Sequence, residues 1–385
     1  MTAVRPALVT EVRGARLYGV DVARSVALLG MVAAHVGGVA EQLDWSDPST
    51  WSAVVNGRSS TLFAVLAGVS VGLVSGRTDP PGPPEIGRVR ARLAIRAVVI
   101  VVIGLLLMAL NTPVYVILPT YGVLFLLVLP ALRWPRWALV SAAGVCALLS
   151  APVAIAIVPA YAGASTFTLQ LGLVYPVVTF LTYVLVGLAV ARSDLGPRRR
   201  FPDDAPAASG PCRWGEARST QVALLASGAL VATAAYLAGA VTAPVPWDAG
   251  DAFPGVPFVP QGASAGQAFA QVFLSPRDHS SSIVDVVGTA GVAVAVIGLC
   301  TLLFDGRGAV ARRIAFPLAA IGSMPLTIYA LHLVVIAVLP PLPQEPATWW
   351  WFAIGAGLFA ALWSRFLGRG PAERLVARIV SVVPR

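Results

Sequence analysis

An all-α, polytopic membrane helix bundle is the fold class that the sequence predicts, and two observations predict it. Hydrophobic residues make up 57% of the 385 residues and charged residues only 12%, about half the charged share of a soluble domain. Apolar runs of about twenty residues, the length of a helix that crosses a bilayer, recur along the chain. Residues 1–385 are therefore predicted to form a single transmembrane domain.

Ten transmembrane helices are predicted from these runs, with both termini cytoplasmic. They cover roughly residues 17–40, 59–76, 94–111, 114–132, 137–158, 172–192, 220–242, 283–304, 316–339 and 348–367. A polar segment at 193–219 is predicted to be a cytoplasmic linker. A segment at 243–282, rich in proline, glycine and serine, is predicted to be an outer loop, with a short helix over Ala265–Leu274.

The distribution of arginines sets the predicted orientation. All 27 basic residues are arginines and the net charge is +9. With the N-terminus inside, 24 of them fall in inner segments, as the positive-inside rule expects. Arg24, Arg58 and Arg277 are the exceptions. Because topology accounts for the basic charge, we expect the lipid bilayer, and no nucleic acid, to be the partner of these arginines.

Three ionisable residues interrupt the first span, where a central charge costs about 2.5–3.5 kcal/mol. At about 100° per residue, Arg24 and His35 point to within about 20° of one another. Asp21 lies three residues before Arg24, on the same face, so the two are predicted to pair. One stripe of the helix thus carries all three groups. The alternative is an ordinary ion pair near the interface, with Arg24 reaching toward water.

All three histidines of the chain are predicted to lie toward the outer side: His35, His279 and His332. Other polar residues are predicted at the same level: Asn56, Arg58 and Asp285. Histidine exchanges protons near neutral pH, and arginine binds carboxylate or phosphate groups through paired hydrogen bonds. Such a set is suited to acyl transfer onto a hydroxyl or an amine.

Structural roles remain open for several of these residues. His332 is also compatible with a packed interior histidine, and His279 with a solvated loop residue. Arg58 and Asp285 are each compatible with a helix end. Gly68, Gly72 and Gly76 are predicted to mediate helix packing. The three cysteines suggest neither a disulfide framework nor a metal site.

Several motifs resemble those of a known family. Asp21-x-x-Arg24, His35-x-Gly37, Asn56-Gly57-Arg58 and the segment 181–192 are similar to the heparan-α-glucosaminide N-acetyltransferase-like family. Its bacterial members include the DUF418 (YeiB-like) integral membrane proteins. His279-Ser280, Gly288-Thr289-Ala290-Gly291 and Pro325-Leu326-Thr327-Ile328-Tyr329 continue the resemblance. The spacing from Arg24 to His35 also resembles that of membrane-bound O-acyltransferases of polysaccharides.

The resemblance implies a multi-pass acyltransferase of the bacterial plasma membrane. The donor would be cytoplasmic acetyl-CoA or another acyl-CoA, and the acceptor an extracytoplasmic carbohydrate or glycolipid. His35 would be general base or acyl carrier, supported by His332 and Asp21, and Arg24 would bind donor phosphates. Arg58 with Asn56 would orient the acceptor. His279 and Asp285 are predicted to bind the acceptor as well, because they are placed at the same level of the membrane.

The chain departs from the animal lysosomal enzyme in one place. That enzyme carries its catalytic histidine in the loop after the first span, whereas residues 36–58 contain no histidine here. The assignment of this role to His35 rests on the resemblance of the Arg24-to-His35 spacing to that of the bacterial O-acyltransferases. A transporter of a small or lipid-linked solute and a non-catalytic scaffold remain alternatives, and a homo-oligomer remains open.

Overall fold

The computed structural model describes residues 17–41, 43, 46–83, 85–161, 163–196, 214–242, 259 and 261–383. These residues are mostly helical and contain no strand. The helices are α1 Tyr18–Val36, α2 Arg58–Val74, α3 Glu85–Met108, α4 Leu118–Leu127, α5 Arg136–Ile157, α6 Thr166–Leu169, α7 Val177–Ala191, α8 Trp214–Thr242, α9 Ala265–Leu274, α10 Ile283–Phe304, α11 Ala309–Ser323, α12 Pro325–Val338, α13 Pro346–Phe366 and α14 Pro371–Val380.

Within the described ranges, six helical stretches are long and apolar enough to cross a membrane, or up to nine if each of three bent helix pairs counts as one span. The predicted all-α membrane fold is therefore confirmed, while the number of ten spans stays a prediction. The predicted span 114–132 contains one α-helix, the ten-residue α4 Leu118–Leu127, followed by a short 3-10 helix that begins at Pro130. Pro119 lies at the start of α4 and Pro130 just beyond its end. Proline is tolerated in the first turn of a helix but not in its interior, so these two residues limit its length.

The predicted span 316–339 is a bent pair of helices rather than one continuous helix. The axes of α11 and α12 differ by 73°, with the break at Met324. Pro325 is the first residue of α12, where its missing N–H costs nothing. Glu373 of α14 accepts hydrogen bonds from the backbone N–H groups of Leu326 and Thr327, at 2.7 and 3.2 Å. A carboxylate therefore caps the start of α12.

Small residues let helices approach closely, as predicted for two of the three glycines. A Cβ added to Gly68 would collide with the backbone of Val184 in α7, and one added to Gly187 with the backbone of Val65 in α2. A Cβ added to Gly72 would collide with the side chain of Ala191 in α7. The third glycine, Gly76, instead lies in the turn after α2 with φ 96°.

Helix α1 lies inside the bundle, against α2, α10 and α11. Most of its residues are buried, and many of these are small. Its polar stripe is therefore enclosed by other helices instead of facing lipid.

The predicted linker 193–219 and outer loop 243–282 fall largely outside the described residues. Within the loop, α9 spans Ala265–Leu274 as predicted. Ser264 accepts a hydrogen bond from the Gln267 backbone N–H at 3.3 Å, while the Gln267 side chain accepts from the Ser264 N–H at 2.9 Å. This reciprocal capping box explains where the helix begins.

Candidate functional site

The first part of the site is the charged pair near the start of α1. Arg24 Nη1 donates to Asp21 Oδ1 at 2.6 Å, which confirms the predicted pairing. Arg24 Nη2 donates to the hydroxyl of Ser70 in α2 at 3.0 Å. Both charged side chains are mostly buried. The pair therefore links α1 to α2 from within the bundle.

The second part is a contact between two histidines. His35, near the end of α1, and His332, in α12, approach to 3.2 Å between Nδ1 of His35 and Nε2 of His332. His332 is 5% exposed. Tyr329 packs edge-on against the His332 ring and accepts a hydrogen bond from the Ile117 N–H at 3.2 Å. The two histidines that the sequence places at one level of the membrane are thus brought together.

Arg24 and His35 are separated along α1 by eleven residues, which is about 16 Å of helix. The charged pair and the histidine pair are therefore two places along one helix and not a single compact centre. A ligand that contacts both must be extended along α1.

The third part is the loop that precedes α10. His279 and Ser281 have positive φ angles of 61° and 56°, a conformation that costs residues other than glycine about 1–3 kcal/mol. The ring of His279 packs against Gly57, which itself has φ 64°. His279 is thus held against the start of α2, which argues against the solvated-loop alternative.

Arg58 and Asp278 form an ion pair beside this histidine. Arg58 Nη1 donates to Asp278 Oδ2 at 2.9 Å, and the side chains are 13% and 16% exposed. The Arg58 guanidinium also lies 5.3 Å from the ring centroid of Tyr236 in α8, within range of a cation–π interaction. The second carboxylate oxygen of Asp278, Oδ1, is buried and makes no hydrogen bond within the described part of the chain.

Burial dominates the electrostatics of this loop. It raises the pKa of Asp278, although Arg58 and His279 oppose the rise. Burial also lowers the pKa of His279, although the nearby Asp278 carboxylate acts to raise it. Burial also lowers the pKa of Arg277 to about 10. The loop therefore favours a neutral imidazole at neutral pH.

A small cavity of about 20 Å³ lies under the loop, with room for about one water molecule. His279, Asp285 and Tyr183 are among the residues that line it. The Thr289 hydroxyl donates a hydrogen bond to the backbone carbonyl of Asp285 at 2.7 Å. Because this uses the hydrogen of Thr289, the Tyr183 hydroxyl is the donor in its 3.0 Å contact with the Thr289 oxygen. The cavity accommodates one polar group, so a larger ligand requires the loop to move.

The remaining predicted site residue, Asn56, has a contact within the chain. Its side-chain NH₂ donates to the carbonyl oxygens of Ala40 and Glu41, at 2.8 and 3.3 Å. This amide fixes the segment after α1 to the start of α2. A role for Asn56 in binding stays a prediction.

Sequence reasoning missed three residues of the site: Ser70, Asp278 and Tyr183. Asp278 directly precedes His279 and was the detectable one, because an acid next to a histidine is a common arrangement in proton transfer. Among the described residues, no group of three or more His, Cys, Asp or Glu side chains is placed to hold a metal ion.

A comparison with curated proteins finds no match. A family model for the catalytic domain of heparan-α-glucosaminide N-acetyltransferase matches residues 16–214, which is more than half of the chain. The matched region includes Asp21, Arg24 and His35, while His279 and His332 lie beyond it. The extent of this match and the membrane-spanning helices lead to one assignment: the chain is a membrane protein that belongs to the heparan-α-glucosaminide N-acetyltransferase family.

Proposed function

We propose that the chain is a membrane acyltransferase that moves an acetyl or other acyl group from acyl-CoA to a hydroxyl or amino group of an extracytoplasmic sugar or similar acceptor. The observation that carries this proposal is the contact of His332 with His35, which lies on the same helix as Arg24. Family membership supports the acetyltransferase class. A bacterial plasma membrane is the proposed location.

Arg24 is the proposed contact for donor phosphates. A guanidinium has five N–H donors, and Asp21 and Ser70 each take one of them. The others are suited to phosphate oxygens, and the buried setting strengthens such a contact. An extended donor bound there reaches along α1 toward His35.

His35 is the proposed general base. It takes the proton of the acceptor hydroxyl or amine while the acceptor oxygen or nitrogen bonds to the thioester carbonyl carbon. The carbon–sulfur bond then breaks, and the CoA thiolate leaves and takes up a proton. A route through an acyl group carried on His35 has the same overall balance, because water is not consumed and free CoA is released.

The loop before α10 is the proposed acceptor site. His279 and Asp285 line the small cavity. Arg58 is paired with Asp278 beside it, and the buried Asp278 Oδ1 is an acceptor suited to a sugar hydroxyl or amine. A buried polar atom without a partner is costly, so a ligand that donates to it gains affinity.

The test is transfer of label from radiolabelled acetyl-CoA to an acceptor in a membrane extract, with the purified protein in lipid nanodiscs. We expect a labelled product with the native protein and a loss of at least about 100-fold in His35→Gln. The Gly357→Ala variant is the matched control, because nothing lies within 4 Å of a Cβ there. Absence of His35-dependent label on any product or on the protein contradicts the proposal.

A transporter is the second candidate function, and the broken pair α11 and α12 favours it. Discontinuous helices often form the binding sites of secondary transporters, and this pair bends by 73° within the bundle. Flux of solute into proteoliposomes without turnover of acyl-CoA would support the transporter, whereas acyl turnover without flux supports the enzyme.

A further inference from the structure

The two histidines form an in-line hydrogen bond rather than a face-to-face stack. Their rings are within 10° of parallel and their centroids are 5.4 Å apart, while Nδ1 of His35 is 3.2 Å from Nε2 of His332. The centroid separation exceeds the nitrogen separation by about two ring radii. The rings therefore lie edge to edge in nearly one plane, the geometry of an N–H donating to a lone pair.

Two neutral imidazoles in such a contact have one proton between them, so one ring donates and the other accepts. The surroundings of the other nitrogen of His332, Nδ1, decide which ring donates. This nitrogen is buried and makes no hydrogen bond within the described part of the chain. Because Nδ1 is the ring nitrogen nearer the backbone, the carbonyl groups of Ile328 and Tyr329, which favour a proton on this imidazole, act on that atom. A bare nitrogen facing carbonyl oxygens is repelled by them, so Nδ1 of His332 favours the proton.

With a proton on Nδ1, His332 presents the lone pair of Nε2 to His35. His35 must then donate from Nδ1, and its own lone pair lies on Nε2. We propose that His332 is a positioning residue that holds His35 in the Nδ1-protonated tautomer and keeps Nε2 of His35 as the basic atom. The tautomer of a histidine is commonly set by the hydrogen bond at its other nitrogen.

This inference rests on the proposed function for its catalytic consequence, whereas its decisive measurement, the tautomer of His35, does not depend on that function. If His35 is the base, Nε2 accepts the proton of the acceptor, and Nδ1–H continues to donate to His332 as the ring becomes charged. His332 would thus both orient the ring and stabilise the imidazolium, without contacting the acceptor.

The decisive measurement is the tautomer of His35 by NMR of protein labelled with ¹⁵N in histidine. The chain has only three histidines, and the signals of His35 are assigned by their loss in His35→Gln. We expect Nδ1–H for His35 in the native protein and in His332→Gln, whose side-chain oxygen can accept the same hydrogen bond. In His332→Leu, which has no acceptor, we expect a shift toward Nε2–H. The His279→Gln variant is the control and leaves the His35 tautomer unchanged.

Kinetics give a second readout that a purely structural role does not share. We expect kcat to fall at least about tenfold in His332→Leu with little change in KM, and to recover to within about threefold of native in His332→Gln. An Nε2–H tautomer in the native protein, or one unaffected by His332→Leu, overturns the inference. A protein with the expected tautomers but no acyl transfer would overturn the proposed function alone.

Discussion

Arg58 at the start of α2 and Asp278 in the loop before α10 form an ion pair of 2.9 Å between residues 220 positions apart in the chain. Removal of one partner leaves the other charge mostly buried without compensation. We expect Asp278→Asn to lower the free energy of unfolding by about 3 kcal/mol, at the low end for buried pairs since the side chains retain some exposure. Chemical denaturation in detergent micelles measures this loss.

The chain supplies a matched control for this prediction. Arg88 and Glu85 form a pair of 3.8 Å whose side chains are 46% and 54% exposed. Exposed pairs contribute little, so Arg88→Gln is expected to cost less than about 1 kcal/mol. Equal losses in the two variants would show that the Arg58–Asp278 pair is no more important for stability than a surface pair.

The His279 imidazole predicts a pH dependence of stability. Burial lowers its pKa below the ordinary value of 6.5. In the window just below that value the unfolded chain binds a proton that the folded chain does not, so stability falls as the pH falls. We expect the loss of unfolding free energy between about pH 7.5 and about pH 5.5 to be smaller in His279→Gln than in the native protein.

Asp278 contributes to the pH dependence of stability with the opposite sign, so its effect can be distinguished from that of His279. Its raised pKa means that the folded chain retains a proton longer than the unfolded chain. This contribution is present at low pH and is lost as the pH rises through the folded pKa. A pH dependence that is identical in His279→Gln and the native protein would contradict a buried, neutral His279.

The crossing of α2 and α7 predicts a contrast between glycines. An alanine at Gly68 collides with backbone that cannot rotate away, whereas an alanine at Gly144 in α5 has nothing within 4 Å. We expect Gly68→Ala to destabilise by about 1–3 kcal/mol through overpacking. Gly144→Ala should instead stabilise by up to about 1 kcal/mol through helix propensity. Thermal unfolding of both variants in the same detergent tests this, and similar shifts would argue against close packing.

The position of Arg24 predicts that its replacement changes the KM for acyl-CoA but not the KM for the acceptor. Loss of a charged hydrogen bond costs about 1.5–3 kcal/mol, so Arg24→Gln should raise the KM for acyl-CoA at least about tenfold and leave the KM for the acceptor nearly unchanged. Ser70→Ala removes only a neutral partner of Arg24 and should have a smaller effect. A rise of both KM values together would indicate that Arg24 only supports the fold.

Much of the fold could be predicted because hydropathy and charge act over short stretches of sequence. The helix α9 and the pairing of Asp21 with Arg24 depend on residues a few positions apart, and both are as predicted. Pro325 is a local signal for the break before α12, since proline ends a helix or starts a new one. The long apolar run over 316–339 nevertheless led to the prediction of one continuous span.

The contacts of the candidate site could be predicted only in part. The arginine distribution placed His35 and His332 at one level, yet it does not say which helices are neighbours. The contacts Arg24–Ser70 and Arg58–Asp278 depend on how α1, α2 and the loop before α10 pack together. Such packing depends on close approaches between helices, like that of Gly68 to Val184. These contacts join residues far apart in the chain, so no periodic pattern in the sequence indicates them.

The contact between His35 and His332 also has a consequence for biogenesis. The two residues are 297 positions apart, so the ribosome completes the first partner long before the second. Until α12 is inserted into the membrane, His35 at the end of α1 lacks its hydrogen-bond partner His332. A fragment that ends at residue 214, the limit of the family match, contains one histidine of the pair and lacks the other. Co-expression of two fragments, split in the segment 197–213, would show whether the late helices can join an α1 that is already inserted.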